Sequence, residues 1–253
     1  MPNILRFSVI PAWAMLALAA ATSTPAAAAE VPVLTDAQLV ELAERAAGAN
    51  LRPPGEAIPI TGDEEIDDAI RAMAEARGYR RRPTPAGPLQ LVDGQYLQPA
   101  AALAWEWLKR GAAEAGFSLQ LVSGYRSEAG QVRTFVSGAG GSSLAAFEAR
   151  LAWSAPPGYS KHHTGYVIDL ALPGQSHNDF GGTAAHRWLV ADNYAVAKSF
   201  GFVPSYPPDG PPQGPNPESW EFTYVGGWAF RCWRQLLIGS ISIKLGGPPS
   251  CPE

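Results

Sequence analysis

Apolar positions recur with helical period along much of the chain and alternate with polar ones in a few short runs. Thr35 and Gln38 form a capping box that opens a helix running to about Ala47, with Leu39, Leu42, Ala43 and Ala46 as its stripe. A second helix is predicted from about Asp63 to Arg77, striped by Ile66, Ala69, Ile70 and Met73 and closed by Gly78. Arg52-Pro53-Pro54-Gly55 reads as a linker between them. Arg80-Arg81-Arg82, with Pro83 and Pro85, reads as a solvated linker that ends an N-terminal helical segment. Beyond it, Pro99 opens a helix ending near Ala115. Phe117, Leu119 and Leu121 alternate with Ser118 and Gln120, which is strand period. Helices are predicted after Ser127, from Ser143 to Trp153, and from Thr183 to Phe200, the last closed by Gly201. Tyr166 to Leu172 is a strand candidate, Ser205 to Pro217 is too rich in Pro and Gly for regular structure, and Trp220, Phe222 and Tyr224 mark a last strand. This mixed order of helices and strands points to an α+β fold.

The first 29 residues change the picture. Arg6, an apolar stretch from Phe7 to Ala21 and the small residues ending Ala27-Ala28-Ala29 have the layout of a cleaved secretory signal. The apolar stretch is short for a span of ~20 residues and carries Pro11; no later run of ~18 apolar residues exists, so no membrane span is expected. Export places Cys232 and Cys251 where disulfides persist, and one bond tethering the tail or two unpaired thiols are the alternatives. Their spacing does not suit a metal site.

Composition narrows the function. The chain has 253 residues, of which 46% are hydrophobic and 17% charged, enough apolar material for a sizeable core and too little charge for a disordered chain. A formal net charge of −4 argues against sequence-independent nucleic-acid binding.

Three polar clusters carry candidate chemistry. In Ser160-Lys161-His162-His163-Thr164-Gly165, followed by Asp169, the seven-residue step from His162 to Asp169 puts them on opposite faces of one continuous strand. They converge on one ion only if His162 sits on a turn, which Gly165 permits; a surface histidine and an unrelated strand carboxylate fit the same spacing. Glu218 and Glu221 share a face only if the chain turns there, as Pro217 would allow; one would then bind an ion and the other take a proton from water, unless both are solvated beside a core tryptophan. Arg126, in Ser123-Gly124-Tyr125-Arg126-Ser127, either clamps a carboxylate through two parallel hydrogen bonds or makes a surface salt bridge.

In this order and spacing, over roughly Gln95 to Gly226, the clusters resemble the zinc D-Ala-D-Ala carboxypeptidases, the VanY-like M15 peptidases. The S-x-H-x-x-G-x-x-x-D motif stands as Ser160, His162, Gly165 and Asp169, and S-G-Y-R-S with its following Gln as Ser123 to Ser127 plus Gln131. A helix motif matches Thr183, Trp188, Leu189, Asn193, Gly201 and Phe202; the closing motif matches Glu218, Trp220, Glu221, Phe222, Tyr224, Val225 and Gly226. The resemblance implies a small antiparallel sheet flanked by helices, with His162 and Asp169 as zinc ligands and Glu218 as general base. It also implies that Arg126 grips the terminal carboxylate of a peptidoglycan stem peptide, helped by Gln131 and Ser160.

One position departs from the pattern: where the family's last zinc ligand is a histidine, this chain has Glu221. Two imidazoles and one carboxylate leave Zn²⁺ with a charge of +1, whereas His162, Asp169 and Glu221 leave it neutral. That weakens its power to acidify water and shifts preference toward harder ions such as Mn²⁺. Three readings follow: a metallocarboxypeptidase (D,D- or L,D-) with a His-Asp-Glu site, a non-catalytic peptidoglycan-binding pseudoenzyme of the same fold, and a structural envelope protein working through its N-terminal helices. The expected organisation is a signal peptide at 1–29, an N-terminal helical segment and linker at 30–85, and a peptidase-like domain with C-terminal tail at 86–253. The expected location is the periplasm or the extracellular medium.

Overall fold

The computed structural model describes residues 31–46 and 50–231. The predicted signal segment and both cysteines lie outside them. Four antiparallel strands form the central sheet, in the order β5 (Gln120–Ser123), β6 (Val167–Ala171), β8 (Glu218–Tyr224), β7 (Phe202–Tyr206). Two small ribbons flank it: β1 (Leu51–Arg52) with β2 (Thr84–Pro85), and β3 (Gln90–Val92) with β4 (Gln95–Leu97). The fold is therefore the small antiparallel sheet flanked by helices that the sequence suggests. Among the described residues no helix is long and apolar enough to cross a membrane.

Every residue of β6 is buried, because both faces of this inner strand are covered. On one face, Ile168 and Leu170 join Phe222 and Phe202 beneath α3 (Pro99–Glu114) and α6 (Ala184–Ser199), which contribute Trp105, Leu108 and Leu189. The opposite face is divided. At one end Val203 and Val225 receive Leu39 and Leu42 of α1 (Asp36–Ala46). The rest faces a wall in which α2 (Glu64–Ala76), α4 (Glu128–Ser137) and α5 (Leu144–Arg150) meet around Ile70, Phe135, Phe147 and Tyr159. The cleft lies between sheet and wall.

The helix starts follow their caps. The Asp63 side chain accepts from the amides of Glu65 and Ile66, and Ser127 and Ser143 cap α4 and α5 in the same way. Several expectations need correction. Arg80 to Pro85 is not a solvated linker: Arg82 is 8% exposed, its Nη1 lies 2.6 Å from Glu44 Oε2, and Thr84–Pro85 pairs with Leu51–Arg52. Apolar packing and a buried ion pair across the fold override the local signal of three arginines and two prolines. The strand expected over 117–121 starts only at Gln120. β7 is unforeseen and runs through Ser205 to Tyr206; Pro204 is tolerated because β7 is the edge strand. Finally, α6 is broken: Asp192, Asn193 and Tyr194 have φ of 50°, 58° and 62°. Asn193 uses the break to accept from the Leu34 amide and donate to the Leu34 carbonyl, docking the incoming chain. A short helix, α7 (Gly227–Arg231), closes the described part.

Candidate active site

A cleft of about 650 Å³ opens over the sheet and is lined by His162, Asp169, Glu218, Glu221, Arg126, Gln131 and Ser160. Each side chain arrives there through a local device. Ser160 caps a single 3-10 turn, Lys161–Thr164, accepting from the His162 amide, and Gly165 ends it at φ +74°. His162 therefore sits on a turn ahead of β6, as convergence with Asp169 requires. A side chain at Gly165 would be strained by that backbone and crowded by Leu89, 3.1 Å away.

β8 is a continuous strand from Glu218, so no turn at Pro217 brings the two glutamates together. Instead, four residue steps of β8 lie opposite two of β7, since Tyr206 pairs with Glu218 and Pro204 with Phe222. The register is irregular between these pairs, and both carboxylates line the cleft. A bulge lies on β5, where Leu121 pairs with Leu170 but Ser123 with Asp169. It leaves Leu121 in the core and turns Ser123 into the cleft.

Asp169 and Glu221 are directly opposite on neighbouring strands. His162 Nε2 stands 3.3 Å from Asp169 Oδ2 and 3.3 Å from Glu221 Oε2. Its Nδ1 is 2.6 Å from the Gly124 carbonyl oxygen, so Nδ1 carries a proton and Nε2 is turned to the two carboxylates. One ligand atom from each of the three residues lies within 4.8 Å of the others. Asp169 Oδ1 and Glu221 Oε1 are buried without a hydrogen-bond partner. An imidazole nitrogen converging with two carboxylates, each keeping a further buried oxygen without a partner, is the donor set of a divalent cation, so the residues present fit a metal.

Burial opposes protonation of His162, but the charge of Asp169 and the hydrogen bonds to Asp169 and Glu221 together raise the imidazole pKa to about 9, so without a metal Nε2 holds a proton between the two carboxylates, and a bound cation would displace it. Burial would raise Glu221, but the hydrogen bond and charge of His162, then Lys161 and Ser205, hold it below the usual carboxylate range. Burial, then the charges of Glu221 and Asp169, push Glu218 well above that range. Glu218 is thus the more basic member of the pair, the property expected of a general acid–base.

Arg126 is held from two sides: Nη1 donates to Gln131 Oε1 at 2.7 Å and Nη2 to Ser123 Oγ at 3.0 Å. Gln131 is 1% exposed and donates to Ser154 Oγ and the Ala155 carbonyl, so it serves to position the guanidinium. His163 is not part of the constellation. Its Nδ1 lies 2.6 Å from the Arg126 carbonyl, its Nε2 accepts from the Gly158 amide, and burial pushes its pKa down to about 4. Lys161 is turned away as well, donating to the Ser205 carbonyl and Gln213 Oε1. Arg150, Trp153, His177, Asn178 and Trp220 also line the cleft and belong to none of the site assignments read from the sequence. Only the Trp220 ring, edge-on to His177 at 5.1 Å, stands in a motif.

A family model described as VanY, D-alanyl-D-alanine carboxypeptidase, matches residues 94–227, just over half the chain and all the strands that build the cleft. The chain belongs to the VanY family. It is 34% identical over 133 residues to the bifunctional D-Ala-D-Ala dipeptidase and D-Ala-D-Ala carboxypeptidase VanXYC of Enterococcus gallinarum, covering 52% of this chain and 68% of that one. It is 37% identical over 75 residues to a D-alanyl-D-alanine carboxypeptidase of Enterococcus faecalis, 29% of this chain but only 25% of the relative. Among solved structures it is similar to a point mutant of the vancomycin resistance D,D-pentapeptidase VanY from a VanB-type cassette, in complex with Zn(II). The TM-score is 0.51 at 28% identity, covering 62% of this chain and 92% of that one.

Proposed function

We propose that this VanY-family protein is an exported peptidoglycan carboxypeptidase that removes the C-terminal D-amino acid of stem peptides. The observation that carries the reading is the convergence, in one cleft, of His162 Nε2 and the Asp169 and Glu221 carboxylates beside Glu218 and Arg126. His162, Asp169 and Glu221 would hold the metal, Zn²⁺ first and Mn²⁺ as the harder alternative that two carboxylates favour. When bound, it supplies Lewis-acid polarisation of the scissile carbonyl. Arg126, pre-set by Gln131 and Ser123, pairs with the substrate's terminal carboxylate and so fixes which peptide bond lies over the site. Ser160 shapes the His162 turn at the cleft floor. Glu218, in its carboxylate form, takes a proton from the attacking water and returns it to the leaving amine; the burial and neighbouring charges that raise its pKa make that carboxylate the stronger base.

Retention of Glu218 at the cleft wall favours hydrolysis over a protein that only binds peptidoglycan. The export pattern at residues 1–29 supports action in the periplasm or the extracellular medium. The decisive experiment is zinc and manganese analysis of the purified protein together with D-alanine release from a stem pentapeptide. Near-stoichiometric metal and release that a chelator abolishes support the reading. Metal-free protein that retains intact sacculi without cleaving them overturns it in favour of a binding protein.

A further inference from the structure

Arg150 closes α5 on the wall facing the sheet and lines the same cleft as Arg126. It is anchored on one side only. Nη2 donates to the Thr134 carbonyl at 3.2 Å, and the guanidinium lies against Gly138, where a Cβ would come within 2.5 Å of Arg150 Cζ. Nε is buried without a partner. Among the described residues no carboxylate forms an ion pair with Arg150, whereas Arg82 has Glu44 and Arg71 has Asp68. A guanidinium held at the edge of a cleft, partly desolvated and without a counter-ion, is a ready partner for an anion carried in by a ligand. Arg126 already accounts for one such anion. Its anchor, Gln131, and that of Arg150, Thr134, are one turn apart on α4, so the two cations present neighbouring positions to a single extended ligand. The cleft, about 650 Å³, is of a size that holds several residues rather than a terminal pair.

We propose that Arg150 forms a subsite for a second carboxylate of the stem peptide, upstream of the bond that is cut, and so determines specificity. The proposal rests on the carboxypeptidase reading above. Two positions of a stem peptide can supply that group: the acidic second residue, free or amidated, and the third residue, a diamino diacid in some walls and lysine in others.

The test uses the full-length zinc-loaded protein and four pentapeptides that combine these two choices, with D-alanine release followed for wild type, R150Q and R150K. Wild type is expected to favour the peptide bearing the recognised carboxylate by about tenfold in kcat/KM, mostly through KM. That preference should fall to near unity in R150Q and return in part in R150K, and the pair of peptides that shows it identifies the source. Equal kcat/KM for all four peptides with wild type overturns the proposal, as does a preference that survives in R150Q. So does a uniform loss across all four peptides in R150Q, which would mark Arg150 as a structural cap of α4. Should no peptide be cleaved, the carboxypeptidase reading fails, and calorimetric binding of the same four peptides to wild type and R150Q decides the subsite by the same criterion.

Discussion

Asp169 and Glu221 face each other across neighbouring antiparallel strands, where two like charges destabilise a sheet unless a cation lies between them. The Glu221→Gln variant removes one charged donor, and its affinity for zinc should fall at least tenfold in competition with a chromophoric chelator. A lower melting temperature with unchanged zinc affinity would show that Glu221 is structural. Glu218 makes a different prediction, because the loss of a positioned proton carrier typically lowers rate by about 10²–10⁴-fold. Glu218→Gln should lose kcat on that scale and keep its metal; an equal loss of metal would make Glu218 a ligand. His163 predicts a pH dependence. Its native pKa of about 4 lies below the ordinary value of 6.5, so the unfolded chain binds a proton that the native state refuses between those limits. With zinc present throughout, urea stability should therefore decline as pH falls from about 6.5 toward 4, and a His163→Gln variant should lose about one proton of that slope. At this scale the turn at Gly165 and the diversion of His163 away from the site follow from local chemistry, whereas Arg150 carries no local signal that sets it apart from any arginine at a helix end.

Bulges and breaks do the positioning at the level of elements. The irregular stretch of β8 opposite Pro204 to Tyr206 separates Glu218 from Glu221, which share one cleft despite their odd spacing, and the extra residue of β5 turns Ser123 into it. A regular strand would have sent one member of each set to the core face. These devices escape periodicity because a bulge is defined by the partner strand. The same holds for the Arg80–Arg82 segment, whose basic and proline-rich character reads as solvated. Glu44 on α1 decides otherwise, pairing with Arg82 at 2.6 Å and standing 3.9 Å from Lys161 Nζ. Burial would raise the Glu44 pKa, but Arg82 and then Lys161 hold it below the usual range. Glu44→Ala leaves two buried cations without their counter-ion and should cost about 2–4 kcal/mol in chemical denaturation. A loss below about 0.5 kcal/mol would mean that α1 docks through Leu39 and Leu42 alone.

For the molecule as a whole, the candidate metal group ties together pieces far apart in sequence: the turn before β6, β6 itself and β8. A cation bound only by the folded arrangement stabilises all of them by mass action, by about 2.7 kcal/mol when free metal is a hundredfold above Kd. Chelation should therefore lower the melting temperature of the whole unit by several degrees and zinc should restore it, with no such response in the Glu221→Gln variant. Identical melting with and without metal would detach the three residues from any cation. What the amino-acid sequence determined by itself is what neighbours along the chain control: capped helix starts, the glycine-permitted turn under His162, and the order of polar clusters that marks the family. What only the tertiary structure decided is where side chains separated by a bulge or by a hundred residues point. That includes Glu221 meeting Asp169, Arg82 buried against Glu44, and Arg150 opening onto the cleft. The reason is physical: backbone dihedrals respond to local sterics and caps, but side-chain direction on a sheet depends on register, and register is set by the packing of both faces at once.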